Sequence, residues 1–229
     1  MRVLVACEES QAVCIELRAL GHEAYSCDTA PQSGGHPEWH VQQDVLSLLN
    51  GYCEFDTCDG QHHLINSRWD MIIAFPPCTY LTNAGAVRLR VNGVINEERM
   101  AKAIKAKEFF MAIYNADCDR IIIENPVPGK IHGLPPYQQI IEPYMFGEPW
   151  RKKTCLWIKG VPLLIPTDIV EPLGLWVGAS SAAYSKYQLA SHRSPKVRSK
   201  TFKGIARAMA EQYAGNNLFF EGCDVVCES

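Results

Sequence analysis

Apolar residues along this chain fall into short unbroken runs. "RVLVA" (2–6), "WDMIIAF" (69–75), "RIIIEN" (120–125) and "TCLWIKG" (154–160) are aliphatic or β-branched almost throughout. Runs of that length and continuity predict strands buried on both faces. Between them the spacing changes to that of helices. Val13, Cys14, Leu17 and Leu20 share one helical face, with Ser10 placed to cap the start and Gly21 in the C′ position to close it. A second helix is predicted over 97–116, capped by Asn96, with Glu97 and Glu98 complementing its dipole, and a third over 203–214. "EAYSCD" (23–28) predicts a strand ending in Asp28. "WHVQQDVLSLL" (39–49) predicts a short strand ending near Asp44, then a helical turn. Pro135 or Pro136 is read as opening a short helix that ends before Pro143. "CEFDTCDGQHHLI" (53–65) carries an Asp-Gly turn between two short runs, which predicts a hairpin.

Alternating strands and helices with continuously apolar strands imply an α/β fold, Rossmann-like, with a mostly parallel, doubly wound sheet covered on both faces. The expected organisation is one domain over 1–215, with a hairpin insertion at 53–67, an irregular stretch at 161–190 and an unpatterned tail at 216–229. The length of 229 residues suits one sizeable core. No run is long and apolar enough for a membrane helix, and the N-terminal apolar run is too short for a signal peptide. The ten cysteines have no framework spacing, so they are expected to be mostly reduced and the protein cytoplasmic.

Charge changes the picture more than composition does. Residues 1–77 hold three basic and eleven acidic residues, a net −8, while 147–207 hold eleven basic and three acidic, a net +8. An acidic protein with one basic segment can engage a polyanion locally, although a solvated basic face gives the same count.

In a doubly wound sheet ligands bind beyond the carboxyl ends of the strands, and the unusual residues collect there: Glu8, Asp28, Asp44, Cys78, Glu124 and Asn125. An acidic residue after the second strand suits a ribose diol, and Asp44 suits an amino group, although strand-end aspartates also cap turns. Pro76 and Pro77 fix the backbone entering Cys78, as a positioned nucleophile requires. A stiff turn that merely contains a cysteine would look the same. Glu124 emerges from an apolar strand, so its pKa is expected to be raised and its proton available near neutrality. Thr79 to Gly93, with small residues and two glycines, reads as a mobile exit loop. Cys53, Cys58, His62 and His63 could suggest zinc, but the hairpin accounts for them and no metal site is expected.

"FPPCTY" followed by "IIIENP" resembles the cytosine-5 DNA methyltransferases, with their Pro-Cys loop and Glu-Asn strand end. Over 1–215 the chain is similar to the short phage- and prophage-type members, whose later segments look like "GEPWRKKTCLWIKGVPLL" (147–164) and "RSKTFKGIARAMAEQYA" (198–214). The resemblance implies a class I methyltransferase fold and transfer of a methyl group from S-adenosylmethionine to carbon 5 of cytosine in DNA. Cys78 would attack carbon 6, Glu124 would protonate ring nitrogen 3, Asn125 would hold the Pro-Cys loop, and Arg151 would orient Glu124 or the base. The cofactor would be bound by Cys7, Glu8, Ser10, Asp28, Thr29, Asp44, Val45, Phe75 and Pro76. DNA would be contacted by Arg88, Arg90, Lys152, Arg193, Lys196, Arg198, Lys200 and Lys203. Arg193 to Arg207 is a run of six basic residues and no acidic one. Three features depart from the family. The first loop, "ACEESQAV", lacks the usual glycines. Thr79 replaces the glutamine that follows the Pro-Cys pair. Only 161–190, with Trp176, Tyr184 and Tyr187, could stand in for the recognition domain, which implies relaxed specificity or a second subunit or accessory partner. The alternatives are a non-catalytic binder of DNA or cofactor, and an enzyme acting on single strands or free cytosine nucleotides.

Overall fold

The computed structural model describes residues 1–91, 93–172 and 200–215. Its centre is a seven-stranded sheet. Five strands form the parallel part: β1 (Arg2–Ala6), β2 (Glu23–Cys27), β3 (His40–Val41), β6 (Met71–Ala74) and β9 (Ile121–Pro126). Two more, β10 (Gln139–Ile141) and β11 (Thr154–Lys159), add antiparallel on the β9 side, giving the order β10-β11-β9-β6-β1-β2-β3. After β1 the chain winds outward through β2 and β3. It then returns to β6 and winds the other way. The crevice between the carboxyl ends of β1 and β6 is therefore a topological switch point.

The period-2 alternation of the strands divides the core into two. Val3 and Val5 of β1 face α1 (Ala12–Ala19) and α4 (Lys203–Ala214), where Val13, Leu17, Ile205 and Met209 are buried. Leu4 and Ala6 face the opposite side, where α3 (Glu97–Tyr114) lays Phe110 and Ile113 against Trp157 and Ile123. Both faces are covered, as the continuous apolar strands require. Between β3 and β6, the strands β4 (Cys53–Asp56) and β5 (His62–Ile65) form the expected hairpin. Gly60, at the Asp-Gly turn, adopts the left-handed conformation, φ +86°. Asn96 caps α3, its side-chain oxygen accepting from the Arg99 amide at 2.9 Å.

Several local readings need correction. Ser10 does not cap α1. The chain turns left-handed at Gln11, φ +58°, and the longer Glu8 side chain reaches over to accept from the amides of Val13 at 2.7 Å and Cys14 at 3.2 Å. No helix opens at Pro135 or Pro136. Residues 139–141 are β10, because pairing with β11 satisfies a segment too short to sustain a helix. The third strand stops at Val41, short of Asp44. The stretch after Cys78 has structure of its own: α2 (Asn83–Ala86), then β7 (Arg90–Val91) paired with β8 (Val94–Ile95). Of the segment 161–190, residues 161–172 are described. There the side chains of Gln139 and Gln212 each donate to and accept from the backbone, at Leu164 and Ile165 respectively. Trp176, Tyr184, Tyr187 and the tail 216–229 lie outside the described residues.

Candidate active site

The carboxyl ends of β1, β2, β6 and β9, together with the segments leading into β11 and α4, enclose a cleft of about 350 Å³. One wall carries Cys7, Glu8, Glu9, Ser10 and Asp28. The other carries Pro76, Pro77, Cys78, Glu124, Pro126 and Lys152, with Lys200 and Thr201 at the rim and Phe75 between the walls.

Cys78 lies where β6 ends. Its carbonyl accepts from the amides of Leu81 at 3.0 Å and Thr82 at 3.1 Å, so the thiol heads a tight turn. Beneath it the buried Asn125 side chain donates to the Pro76 carbonyl at 2.9 Å. Two backbone hydrogen bonds, Asn83 to Val127 at 2.9 Å and Gly129 to Leu81 at 2.8 Å, join the segment after Cys78 to the segment after Asn125. The Pro-Cys turn and the Glu-Asn strand end are thus one mechanical unit. From α3, the Arg99 guanidinium also reaches the Thr79 carbonyl at 3.4 Å and lies over the Tyr80 ring.

Burial raises the Cys78 thiol above its ordinary pKa, and the neighbouring Glu124 carboxyl raises it further, while Lys152 opposes both. Burial likewise raises Glu124, against Lys152 and the Thr154 hydroxyl, which favour its ionised form. Cys78, Glu124 and Lys152 therefore form one coupled set: a half-buried thiol, a carboxyl inclined to keep its proton, and a cation that biases both toward their anions. Cys155, behind Glu124, is buried and its pKa is pushed up to about 12, so it stays a thiol.

The opposite wall is strained. Cys7, φ +59°, and Gln11, φ +58°, are both left-handed without being glycine, at a cost of about 1–2 kcal/mol each. The surrounding packing holds them there. Glu8 ties off α1, and the buried Gln11 side chain accepts from the His36 amide at 3.1 Å and donates to the His36 carbonyl at 2.8 Å. A Cβ on Gly34 would come within 2.6 Å of the Gln11 Cβ, so this close approach requires glycine. Burial pushes the Glu8 carboxyl up to about 8, against the two amides that favour its charge. Asp28 accepts from the Ala30 amide through one oxygen at 2.8 Å, and its carboxylate lines the cleft. Asp44 caps a turn by accepting from the Leu46 amide at 3.0 Å, with Val45 buried beside it, and both aspartates act electrostatically on Cys7. Thr29 is exposed and offers its carbonyl to Gln42. Across the rim, the Lys200 ammonium donates to the Ser33 hydroxyl at 2.7 Å, and that hydroxyl donates to Glu9.

The structure thus brings Cys78, Glu124, Cys7, Glu8, Ser10, Asp28, Phe75 and Pro76 to one cleft, with Asn125 supporting it from below. Arg151 is not part of it: it is exposed, with its guanidinium 5.9 Å from the Tyr144 ring centroid. Lys152, read from the sequence as a DNA contact, faces Cys78 and Glu124 instead. The antiparallel register, Leu156 opposite Glu124 and Thr154 opposite Pro126, explains why a residue just ahead of β11 arrives at this edge. Arg88 and Lys203 are exposed outside the cleft, and Arg90 lies in β7. Arg193, Lys196 and Arg198 lie outside the described residues. In the hairpin, His62 faces Asp56 at 2.8 Å, and His63 meets the hydroxyls of Tyr25 at 3.1 Å and Thr57 at 3.2 Å. No family model matches the chain, and no curated protein matches it at a significant level.

Proposed function

We propose that this chain is an S-adenosylmethionine-dependent cytosine-5 methyltransferase acting on DNA. The observation that carries the reading is the convergence of Cys78, Glu124 and Lys152 on one wall of a switch-point cleft whose other wall is acidic. The residues present fit the cofactor: Asp28 offers carboxylate oxygen to hydroxyl donors, and the acidic wall carrying Glu9 and Asp28 suits a sulfonium.

Carbon 5 of cytosine is a poor nucleophile until a thiol adds to carbon 6. In the proposed reaction the Cys78 thiol gives its proton to water and Sγ bonds to carbon 6, while Glu124 gives its proton to ring nitrogen 3, so the ring accepts the electron pair without becoming an anion. S-adenosylmethionine, when bound, supplies the methyl group that carbon 5 then takes. The carbon-5 proton leaves to water, the Sγ–carbon 6 bond breaks to release the thiolate, which takes a proton back from water, and ring nitrogen 3 returns its proton to Glu124. Asn125 keeps the Pro76 carbonyl, and with it the thiol, in place throughout. A cytosine inside a duplex cannot enter a cleft of about 350 Å³, so the base must leave its stack. Lys200 at the rim, continuing the basic run, supports a phosphate contact.

The test is incorporation of a tritiated methyl group into cytosine-containing DNA, located by bisulfite mapping. The reading predicts label at carbon 5 of cytosine. Protein that binds DNA or cofactor yet transfers no methyl would favour the non-catalytic alternative. Transfer to the free nucleotide alone would move the substrate class.

A further inference from the structure

Behind Glu124 lies a second, smaller cavity of about 10 Å³, lined by Glu124, Lys152, Thr154, Thr201, Phe202 and Ile205. Glu124, Lys152 and Thr201 also line the main cleft, so these three form the partition between the two spaces. A cavity holds an ordered water when it has room for one water-sized sphere, about 10–15 Å³, and offers two to four polar partners. This one meets both conditions. Four of its six lining residues, Glu124, Lys152, Thr154 and Thr201, carry polar side chains, and Phe202 and Ile205 supply the apolar part.

Local hydrogen bonding points the same way. The Thr154 hydroxyl has one proton, and its Oγ1 donates to the Lys152 carbonyl at 3.2 Å. That one proton is shared between the Lys152 carbonyl and the Glu124 carboxyl, whose ionised form it also favours. An ionised carboxyl here calls for another donor.

We propose that this cavity is a built water site, and that Thr201 is the positioning residue that holds the water against Glu124. The Thr201 hydroxyl accepts one hydrogen of the water, and the other hydrogen is donated to Glu124. The water solvates the ionised carboxylate from behind while the front faces the main cleft. The site limits how far burial raises the carboxyl, and so sets the pH at which Glu124 changes state. Among the described residues, the charged and titratable groups that act on Glu124 are Lys152, Cys78 and Cys155, and a change at Thr201 removes none of them. The water site stands without the methyl-transfer reading; its catalytic consequence rests on that reading.

The test is a carbon-13 NMR titration of the Glu124 carboxyl, without DNA or cofactor, in the wild type, Thr201→Val and Thr201→Ser. Valine keeps the shape and removes the hydroxyl, so the titration should move up by roughly half to one pH unit. Serine keeps the hydroxyl and should keep the wild-type titration. An unchanged titration in Thr201→Val, or equal shifts in both variants, overturns the proposal. If Thr201→Val does not fold, a high-resolution crystal structure of the wild type decides. Density for a water within hydrogen-bonding distance of both Glu124 and Thr201 supports the site, and its absence there refutes it. Failure of either measurement leaves the methyl-transfer test standing, and a failed methyl-transfer test leaves the titration interpretable.

Discussion

At the scale of the residue, the thiol is held back rather than activated in advance. Burial and Glu124 raise the Cys78 pKa, and Lys152 is the cation that opposes them. Removing that cation raises both the thiol and the carboxyl, because each loses a partner that stabilises its anion. Lys152→Met should therefore lower kcat/KM by about 100-fold near neutral pH and move the thiol-dependent limb of the pH–rate profile to higher pH. Arg151→Met, which removes a charge outside the cleft, should leave the profile in place. Steady-state kinetics across pH checks both, and equal losses in the two variants would remove Lys152 from the site. The sequence contained Cys78, Glu124 and Asn125 in full view, because prolines and an apolar strand frame them. The family resemblance gave the role of orienting Glu124 or the base to Arg151. One residue's shift along a basic triplet changes which side chain enters the cleft, and only the strand register resolves that.

At the scale of the element, the site depends on how loops are tied. The turn after Cys78 and the strand end carrying Glu124 share backbone hydrogen bonds, so they move together. The entry to α4 is equally constrained. Gly204 approaches the Phe146 carbonyl so closely that a Cβ would lie 1.8 Å from its oxygen, and its amide donates to Glu148 at 3.2 Å. Backbone cannot yield to that clash as a flexible side chain could. Gly204→Ala should destabilise the protein by on the order of 3 kcal/mol and lower Tm by roughly 5–10 °C, measured by calorimetry. An unchanged Tm would contradict this packing. Elements with strong patterns were legible in the sequence: β1, β6, β9, α3 and α4. The short edge strand β10 was not, because its pairing partner β11 decides its conformation and its proline-rich approach imitates a helix start. The first loop was half legible. Its lack of glycine is real, but the left-handed turn forms regardless, held by Glu8 and by Gln11 under Gly34.

At the scale of the whole molecule, the winding reversal between β1 and β6 creates the cleft, and the division of charge gives it two unlike walls. The acidic segment 1–77 supplies Glu9 and Asp28; the basic segment 147–207 supplies Lys152 and Lys200. That polarity fits a cationic cofactor on one side and a polyanion on the other. The central claim is that Cys78 adds covalently to carbon 6 of a cytosine in DNA. The most direct test is mass spectrometry of the protein incubated with S-adenosylmethionine and a DNA containing 5-fluorocytosine. Fluorine cannot leave carbon 5 as a proton does, so the adduct should persist, with the DNA attached to the peptide containing Cys78 and one methyl group added to the base. No adduct, or an adduct on another cysteine, would contradict the account.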